Sequence, residues 1–428
     1  MKLTKLKIDK YRGVAPGTEL TFGPARTLVL GRNGTGRTTL LELISIILCS
    51  DFSGLVEEEF SLEYELAFPG MEIHVRAQNQ RNSVTPKPEV PVAAALIPLR
   101  TPGAMTSLEP LIEATLRLGA PEARIVVRGD STGLYCEVDG QSAYARSMHW
   151  SVLDRSVWTL IFMVAQYIDP AMKERLKELL HRTFLLAPSR FDETLGMFEH
   201  IGTIKYAMEM QGDEVFPLGL MALPTWMPAW LRAQVERQPP KSTLEVTHDA
   251  IAQSFLARFT SLAGFASGRF RVEVLEKRTY ENGGRLGFGQ FSFRFTRPDG
   301  TELTQAQLGY GQKRLLSFLY YLDVNEDFAI ADELANGLHP RWVEACIREL
   351  GARQAFLTSQ NPLLFEHIAF GSAEALRASL ILCGTELRDG RERLIWSKPT
   401  SEAAAKLFEA HRTQTKPLGE LLQAHGMW

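Results

Sequence analysis

The residues best suited to chemistry lie near the two ends of the chain. Gly31-Arg32-Asn33-Gly34-Thr35-Gly36-Arg37-Thr38 fits the spacing of a phosphate loop, G-x-x-x-x-G-K-[ST], except that Arg37 stands in the lysine position. Glycines there let backbone N–H groups turn inward, and a helix N-terminus behind them adds positive potential, so the two together cradle phosphate. Thr38 offers a hydroxyl for Mg²⁺. Arginine keeps the charge of lysine but is longer, planar and forked, so nucleotide binding can survive while turnover falls. Toward the other end, Phe328-Ala329-Ile330-Ala331 runs directly into Asp332-Glu333. At the end of a buried parallel strand beside a phosphate loop, Asp332 would hold Mg²⁺ through water. Glu333 would orient or deprotonate an attacking water. Each motif alone has a plainer reading: a Gly-rich turn between strand and helix, or a strand ending in surface carboxylates.

The elements needed to position these residues are legible as patterns. Leu3, Leu6 and Ile8 share a period near two, and Leu20-Thr21-Phe22 and Thr27–Leu30 follow as strands. Thr38–Cys49 is an apolar run without Gly or Pro and reads as a buried helix. From Ser61 to about Gly140 the chain is strand-like, with Arg124–Arg128 and Leu134–Val138 forming a hairpin and Asn79–Pro91 a loop. Ser151–Arg182 and Leu223–Gly264 read as helical, and strands return at Arg269–Glu276 and Gly289–Thr296. No heptad repeat, low-complexity tract or internal repeat stands out.

Composition narrows the class. The chain has 428 residues, 45% hydrophobic and 23% charged, which excludes a disordered or collagen-like chain. The longest apolar stretches are too short for a membrane helix, and the first residues lack a signal-peptide core, so a cytoplasmic protein with no membrane partner is expected. Net charge is -3, which does not advertise nucleic-acid binding, although a local basic face can sit on a neutral protein. Lys2, Lys5, Lys7 and Lys10 read as a solvated strand face. The four cysteines lie far apart and fit a reducing compartment rather than a zinc site.

Further motifs flank the acidic pair. Leu308-Gly309-Tyr310-Gly311-Gln312-Lys313-Arg314 precedes an apolar helix, Ala335-Asn336-Gly337-Leu338-His339-Pro340 follows the acids, and Thr358-Ser359-Gln360-Asn361-Pro362 ends a strand. In this order, with Leu6-x-Ile8-x-x-Tyr11-Arg12-Gly13 at the start and Leu418–Trp428 at the end, the chain resembles an ABC-type ATPase of the RecF/SMC/OLD-like group. Within that group it resembles the compact single-chain ATPases of bacterial anti-phage defence and DNA-repair loci. The resemblance covers roughly 200 residues at the two ends; the middle carries no recognisable motif.

The resemblance implies an α/β fold: an ABC-type P-loop ATPase head with a mixed sheet, an antiparallel β subdomain and an inserted helical subdomain. Residues 1–145 would form the N-terminal lobe, 146–265 a mainly helical insertion, and 266–428 the C-terminal lobe. It implies ATP and Mg²⁺ as ligands. Arg12, Gly31, Asn33, Gly34, Thr35, Gly36, Arg37, Thr38 and Thr39 would meet nucleotide, with Thr38 and Asp332 on the metal and Glu333 and Gln360 catalytic. It implies a head-to-tail homodimer in which Leu308, Gly309, Tyr310, Gly311 and Gln312 of one copy cap ATP on the other, with Asn336 and His339 at the seam. The Q-loop glutamine stays open among Gln78, Gln80 and Gln166.

Three departures concern the γ-phosphate: Arg37 for lysine, Gly309 for the signature serine, and Gln360 for the switch histidine. They point to slow turnover. Roughly 270 residues separate the phosphate loop from Leu308, too many for a transport ATPase. No Asn-Lys-x-Asp guanine motif occurs. The expected function is an ATPase regulating a nucleic-acid-directed process, foremost anti-phage defence, with the effector on another chain and DNA as a candidate partner. The alternatives are a RecF-like repair clamp and a hydrolysis-deficient nucleotide-binding scaffold. Leu186–Glu193 reads either as a loop contacting nucleotide or partner, or as a solvated turn with local ion pairs.

Overall fold

A computed structural model describes residues 1–81, 108–119, 122–174, 176, 190–203, 205–211, 214–216, 227–280, 283–361, 363–388, 390–413 and 418–424. Three sheets organise them. The central one has the order β16-β17-β3-β18-β19, formed by β3 (Arg26–Gly31), β16 (Phe328–Ala331), β17 (Gln354–Leu357), β18 (Leu380–Arg388) and β19 (Arg391–Ser397). The first four run parallel, and β19 returns antiparallel on β18, so the sheet is mixed.

Alternate residues of the central strands feed two separate cores. Val29, Phe328, Ile330, Phe356 and Ile381 face one. Leu28, Leu30, Ala329, Ala331 and Leu357 face the other. Burial on both faces is why these strands read as unbroken apolar runs. On the outer edge of the sheet, the Ile330 N–H donates to the Tyr321 hydroxyl at 2.8 Å, so that edge group is satisfied by a helix.

The first core lies under an antiparallel sheet of order β2-β1-β4-β5-β6-β7-β8-β9. Its strands are β1 (Lys2–Tyr11), β2 (Thr18–Thr21), β4 (Phe60–Phe68), β5 (Met71–Arg81), β6 (Leu108–Leu118), β7 (Ala123–Asp130), β8 (Leu134–Val138) and β9 (Gln141–Arg146). The helix Arg37–Cys49 contributes Leu40, Leu41, Leu43, Ile44, Ile47 and Leu48 to this core, which explains its nearly all-round apolar sequence. Three lysines of β1 are matched by acids, Lys5 with Glu19 at 2.6 Å, Lys7 with Glu63 at 3.8 Å and Lys10 with Glu59, while Lys2 Nζ donates to the Ala352 carbonyl at 2.8 Å.

The second core lies under an antiparallel sheet of order β11-β10-β14-β13-β12, with β15 (Glu302–Thr304) on β14. Its strands are β10 (Lys205–Gln211), β11 (Glu214–Phe216), β12 (Thr243–Thr247), β13 (Ser267–Tyr280) and β14 (Gly283–Thr296). Phe291, Phe293 and Phe295 recur at period two on β14 and meet Phe255, Phe259 and Phe270. Stretch 146–265 does hold helices, at Val157–Ala165, Phe191–Glu199, Ala229–Arg237 and Phe255–Ala263. It also holds β10, β11 and β12, which sequence reading left inside helical territory. Pairing with the long β13–β14 hairpin decides the form of β10 and β12, and β11 pairs with β10.

Candidate functional site

The phosphate loop leaves the end of β3 and enters the helix Arg37–Cys49. Gly31 has φ 151°, and a Cβ there would lie 2.4 Å from the Cys383 carbonyl oxygen and 2.6 Å from Thr35 Oγ1. Gly36, at φ 84°, would drive a Cβ to 2.7 Å from Leu394 and 3.2 Å from Trp396 Nε1. Both positions therefore require glycine. The loop is braced from inside: Thr35 Oγ1 donates to the Arg32 carbonyl at 2.7 Å, and Trp396 Nε1 to the Thr35 carbonyl at 3.4 Å. The helix has no side-chain cap and no acid in its first turn. Its leading N–H groups are thus left for an anion.

The acidic pair follows β16 immediately. Thr38 Oγ1 donates to Asp332 Oδ2 at 2.6 Å, joining residues 294 positions apart. The buried Thr358, at the end of β17, bonds the other Asp332 oxygen through its hydroxyl and accepts the Glu333 N–H at 2.8 Å. Glu333 sits at φ 50°, a left-handed conformation that costs a non-glycine residue on the order of 1 kcal/mol. Arg314, 4% exposed, grips this turn from behind. Its Nη2 donates to the Glu333 carbonyl at 2.6 Å and the Asp332 carbonyl at 3.4 Å, and its Nε to the Leu334 carbonyl at 3.4 Å.

Two further contacts close the site. Gln360 donates its backbone N–H to Glu333 Oε2 at 2.7 Å and its Nε2 to Asn33 Oδ1 at 3.2 Å. Arg37 Nη2 donates to the same Asn33 oxygen at 3.0 Å and lies 3.4 Å from Glu333 Oε1. Arg37 Nη1 is buried with no hydrogen-bond partner. Asn33, Arg37, Thr38, Asp332, Glu333 and Gln360 thus form one connected cluster. The glycine-lined loop and the orphaned guanidinium nitrogen fit a polyphosphate, and the Thr38–Asp332 pair fits the hard cation that accompanies one.

Other expected site residues lie apart from the cluster. Arg12 spends its donors on Glu58 at 3.0 Å and on Glu42 at 3.1 Å, one turn beyond Thr38 on the same helix. The helix after the signature loop begins at Tyr310, earlier than the sequence suggested, with Gly309 as its cap and Gln312 Oε1 accepting the Gly309 N–H at 3.1 Å. Gly309 and Tyr310 are exposed. Among the described residues, no hydrogen bond or ion pair joins 308–312 to the phosphate loop. Gly311 packs against the D-loop, where a Cβ would lie 2.5 Å from the Gly337 carbonyl oxygen. Gln78 and Gln80 lie on β5, and Gln166 ends the helix Val157–Ala165. His339 caps the helix Pro340–Glu349.

Sequence reading left the roles of Thr358, Arg314 and Asp192 unstated. Of Leu186–Glu193, Arg190 to Glu193 fall within the described residues. Phe191 lies under Arg314, 4.9 Å from ring centre to guanidinium. Burial and the neighbouring Asp332 charge push the Asp192 carboxyl above the ordinary range, against the pull of Arg190 and Arg314. Trp226, Pro362 and the tail from His425 to Trp428 lie outside the described residues.

A polar cluster at the carboxyl ends of parallel strands, with a phosphate loop and a facing Asp-Glu pair, defines a P-loop ATPase head. Residues 137–366 match the family model described as "AAA domain, putative AbiEii toxin, Type IV TA system". That is more than half of the chain, and the chain belongs to this family. The expectation of an α/β P-loop ATPase with a mixed central sheet agrees with this family and with the strand order. Similar solved structures include the SMC head domain from Thermotoga maritima, at 12% identity, covering 93% of this chain and 100% of that one with a TM-score of 0.34. The Smc head domain with an extended coiled coil from Pyrococcus furiosus, bound to the C-terminal domain of ScpA, is 13% identical. It covers 96% of this chain and 99% of that one, with a TM-score of 0.37. The recombination mediator RecF–ATPrS is 11% identical and covers 93% and 98%, with a TM-score of 0.33. No curated protein matches the chain. Among the described residues, no helix is long and apolar enough to cross a membrane.

Proposed function

We propose that the chain binds ATP between the phosphate loop and the acidic pair and hydrolyses it slowly. The observation that carries this reading is the cluster itself: Thr38 on Asp332 and Arg37 beside Glu333 unite the two halves of a phosphoryl-transfer site. Backbone N–H groups of Gly34–Thr38 and the free Arg37 nitrogen would bind the phosphates. Thr38 and Asp332 would hold Mg²⁺, which when bound supplies neutralisation of phosphate charge. Glu333, oriented by Thr358, Gln360 and Arg314, would align a water and accept its proton.

The exposed Gly309 and Tyr310, unconnected to their own phosphate loop, support capping of ATP in a second copy. ATP would then close a head-to-tail homodimer, and hydrolysis would open it. The dimer is proposed to regulate a nucleic-acid-directed process in anti-phage defence through a separate effector chain. DNA on the β1 face is disfavoured, because Lys5, Lys7 and Lys10 are already matched by acids and Lys2 donates to the Ala352 carbonyl. Analytical ultracentrifugation with ATP and Mg²⁺ tests the dimer: the Glu333→Gln variant should sediment as a dimer, and a monomer under saturating ATP would refute it.

One observation favours a second reading, a nucleotide-held scaffold without useful turnover. Both Glu333 carboxylate oxygens already face donors, Arg37 and the Gln360 N–H. ATP binding with phosphate release no faster than in Glu333→Gln would support it.

A further inference from the structure

Arg37 reads in the sequence as a damaged phosphate loop, but its surroundings give it a second task. Its side chain is only 9% exposed. One end of the guanidinium, Nη2, is held by Asn33 Oδ1 at 3.0 Å and lies 3.4 Å from Glu333 Oε1. The other nitrogen, Nη1, is buried without a partner. The donors of a guanidinium are fixed in one plane, so turning one nitrogen onto a phosphate also moves the other, a constraint that an ammonium on a flexible stem does not impose. The residue placed to receive an incoming phosphate is therefore also in contact with the proposed catalytic carboxylate. That carboxylate is held at its other oxygen by the Gln360 N–H, 2.7 Å away.

Resting on the reading of this site as an ATP site, we infer that Arg37 is a positioning residue for Glu333 and that a nucleoside triphosphate competes with Glu333 for it. Without a terminal phosphate, the guanidinium restrains the carboxylate. A γ-phosphate gives the guanidinium a more highly charged partner, draws it away and releases Glu333. A diphosphate lacks the group that competes. The arginine thus makes release of Glu333 conditional on the correct nucleotide, and a lysine would not.

The competition appears as energetic coupling between Arg37 and Glu333 in binding, which needs no turnover to be read. Binding of the non-hydrolysable β,γ-imido analogue of ATP and of ADP, each with Mg²⁺, is measured by titration calorimetry on the full chain. Protein is kept dilute enough to remain monomeric. The proteins are the wild type, Glu333→Gln, Arg37→Lys and the double variant. Glu333→Gln should tighten analogue binding about tenfold with Arg37 present, and by less than about twofold in the Arg37→Lys background. ADP affinity should change by less than about twofold throughout. Equal tightening in both backgrounds would mean simple relief of charge repulsion and would overturn the inference, as would no tightening. If Arg37→Lys fails to fold, Arg37→Gln serves as the second background with the same expectation. A wild type that binds neither nucleotide overturns the reading of the site itself. Binding without coupling overturns only the restraint of Glu333 by Arg37.

Discussion

Replacing Arg314 by methionine probes how the acidic pair is held without touching a group that meets the nucleotide. Arg314 makes one strong charged hydrogen bond, 2.6 Å to the Glu333 carbonyl, and two near the outer limit at 3.4 Å. The short bond contributes about 2 kcal/mol, and the contact with the Phe191 ring about 1 kcal/mol. The long bonds add little. Methionine keeps much of the apolar volume, so the net loss is about 3 kcal/mol, seen as a fall of several degrees in thermal unfolding. The released turn no longer offsets the left-handed strain at Glu333, φ 50°. Its backbone N–H then drifts from the Thr358 hydroxyl, and its carboxylate from the Gln360 N–H. A misplacement worth 1.4–2.7 kcal/mol in the transition state lowers kcat by about 10- to 100-fold. The phosphate loop is braced separately by Thr35 and Trp396, so ATP affinity should change by less than about threefold. Thermal melts, steady-state phosphate release and equilibrium binding report the three quantities. An Arg314→Met variant that melts and turns over like the wild type, or whose ATP affinity falls in step with kcat, would refute this role for Arg314.

Gly31→Ala should lose most ATP binding and melt earlier, at a cost of about 2–4 kcal/mol, because its methyl would meet the Cys383 carbonyl at 2.4 Å; calorimetric ATP titration and a thermal melt check both. Thr358→Val, which removes the hydroxyl joining Asp332 to the Glu333 N–H, should cut phosphate release by about tenfold or more, while Thr358→Ser retains most of it. Burial, reinforced by the neighbouring Arg377, lowers the Lys398 ammonium to about 8. Between that value and its ordinary one the unfolded chain binds the extra proton, so this lysine makes stability rise with pH across that window. Lys398→Met should therefore raise the melting temperature at pH 7, by about 1 kcal/mol after screening, and the advantage should shrink as pH climbs above 8.

The central strands were legible because burial on both faces forces an unbroken apolar run, as in Thr27–Leu30 and Phe328–Ala331. The loop and the acids that leave those strands were legible with them. β12 was not: Thr243–Thr247 is a five-residue alternation between two helices, too short to overrule its neighbours. It forms because β13 offers it an edge. The hairpin of β18 and β19 also went unread, although Trp396 and Leu394 line the phosphate loop. Arg314 carried no sequence signal for its role, since its partners are main-chain carbonyls of a turn. Arg37 follows the loop at the first position of the helix, yet its contact with Glu333 is a tertiary fact that no spacing rule contains.

Steady-state phosphate release from ATP by the purified chain, run beside Glu333→Gln, tests the central claim most directly. The wild type should show slow Mg²⁺-dependent turnover, abolished in Glu333→Gln while that variant still binds ATP. Equal phosphate release from the two proteins would contradict it.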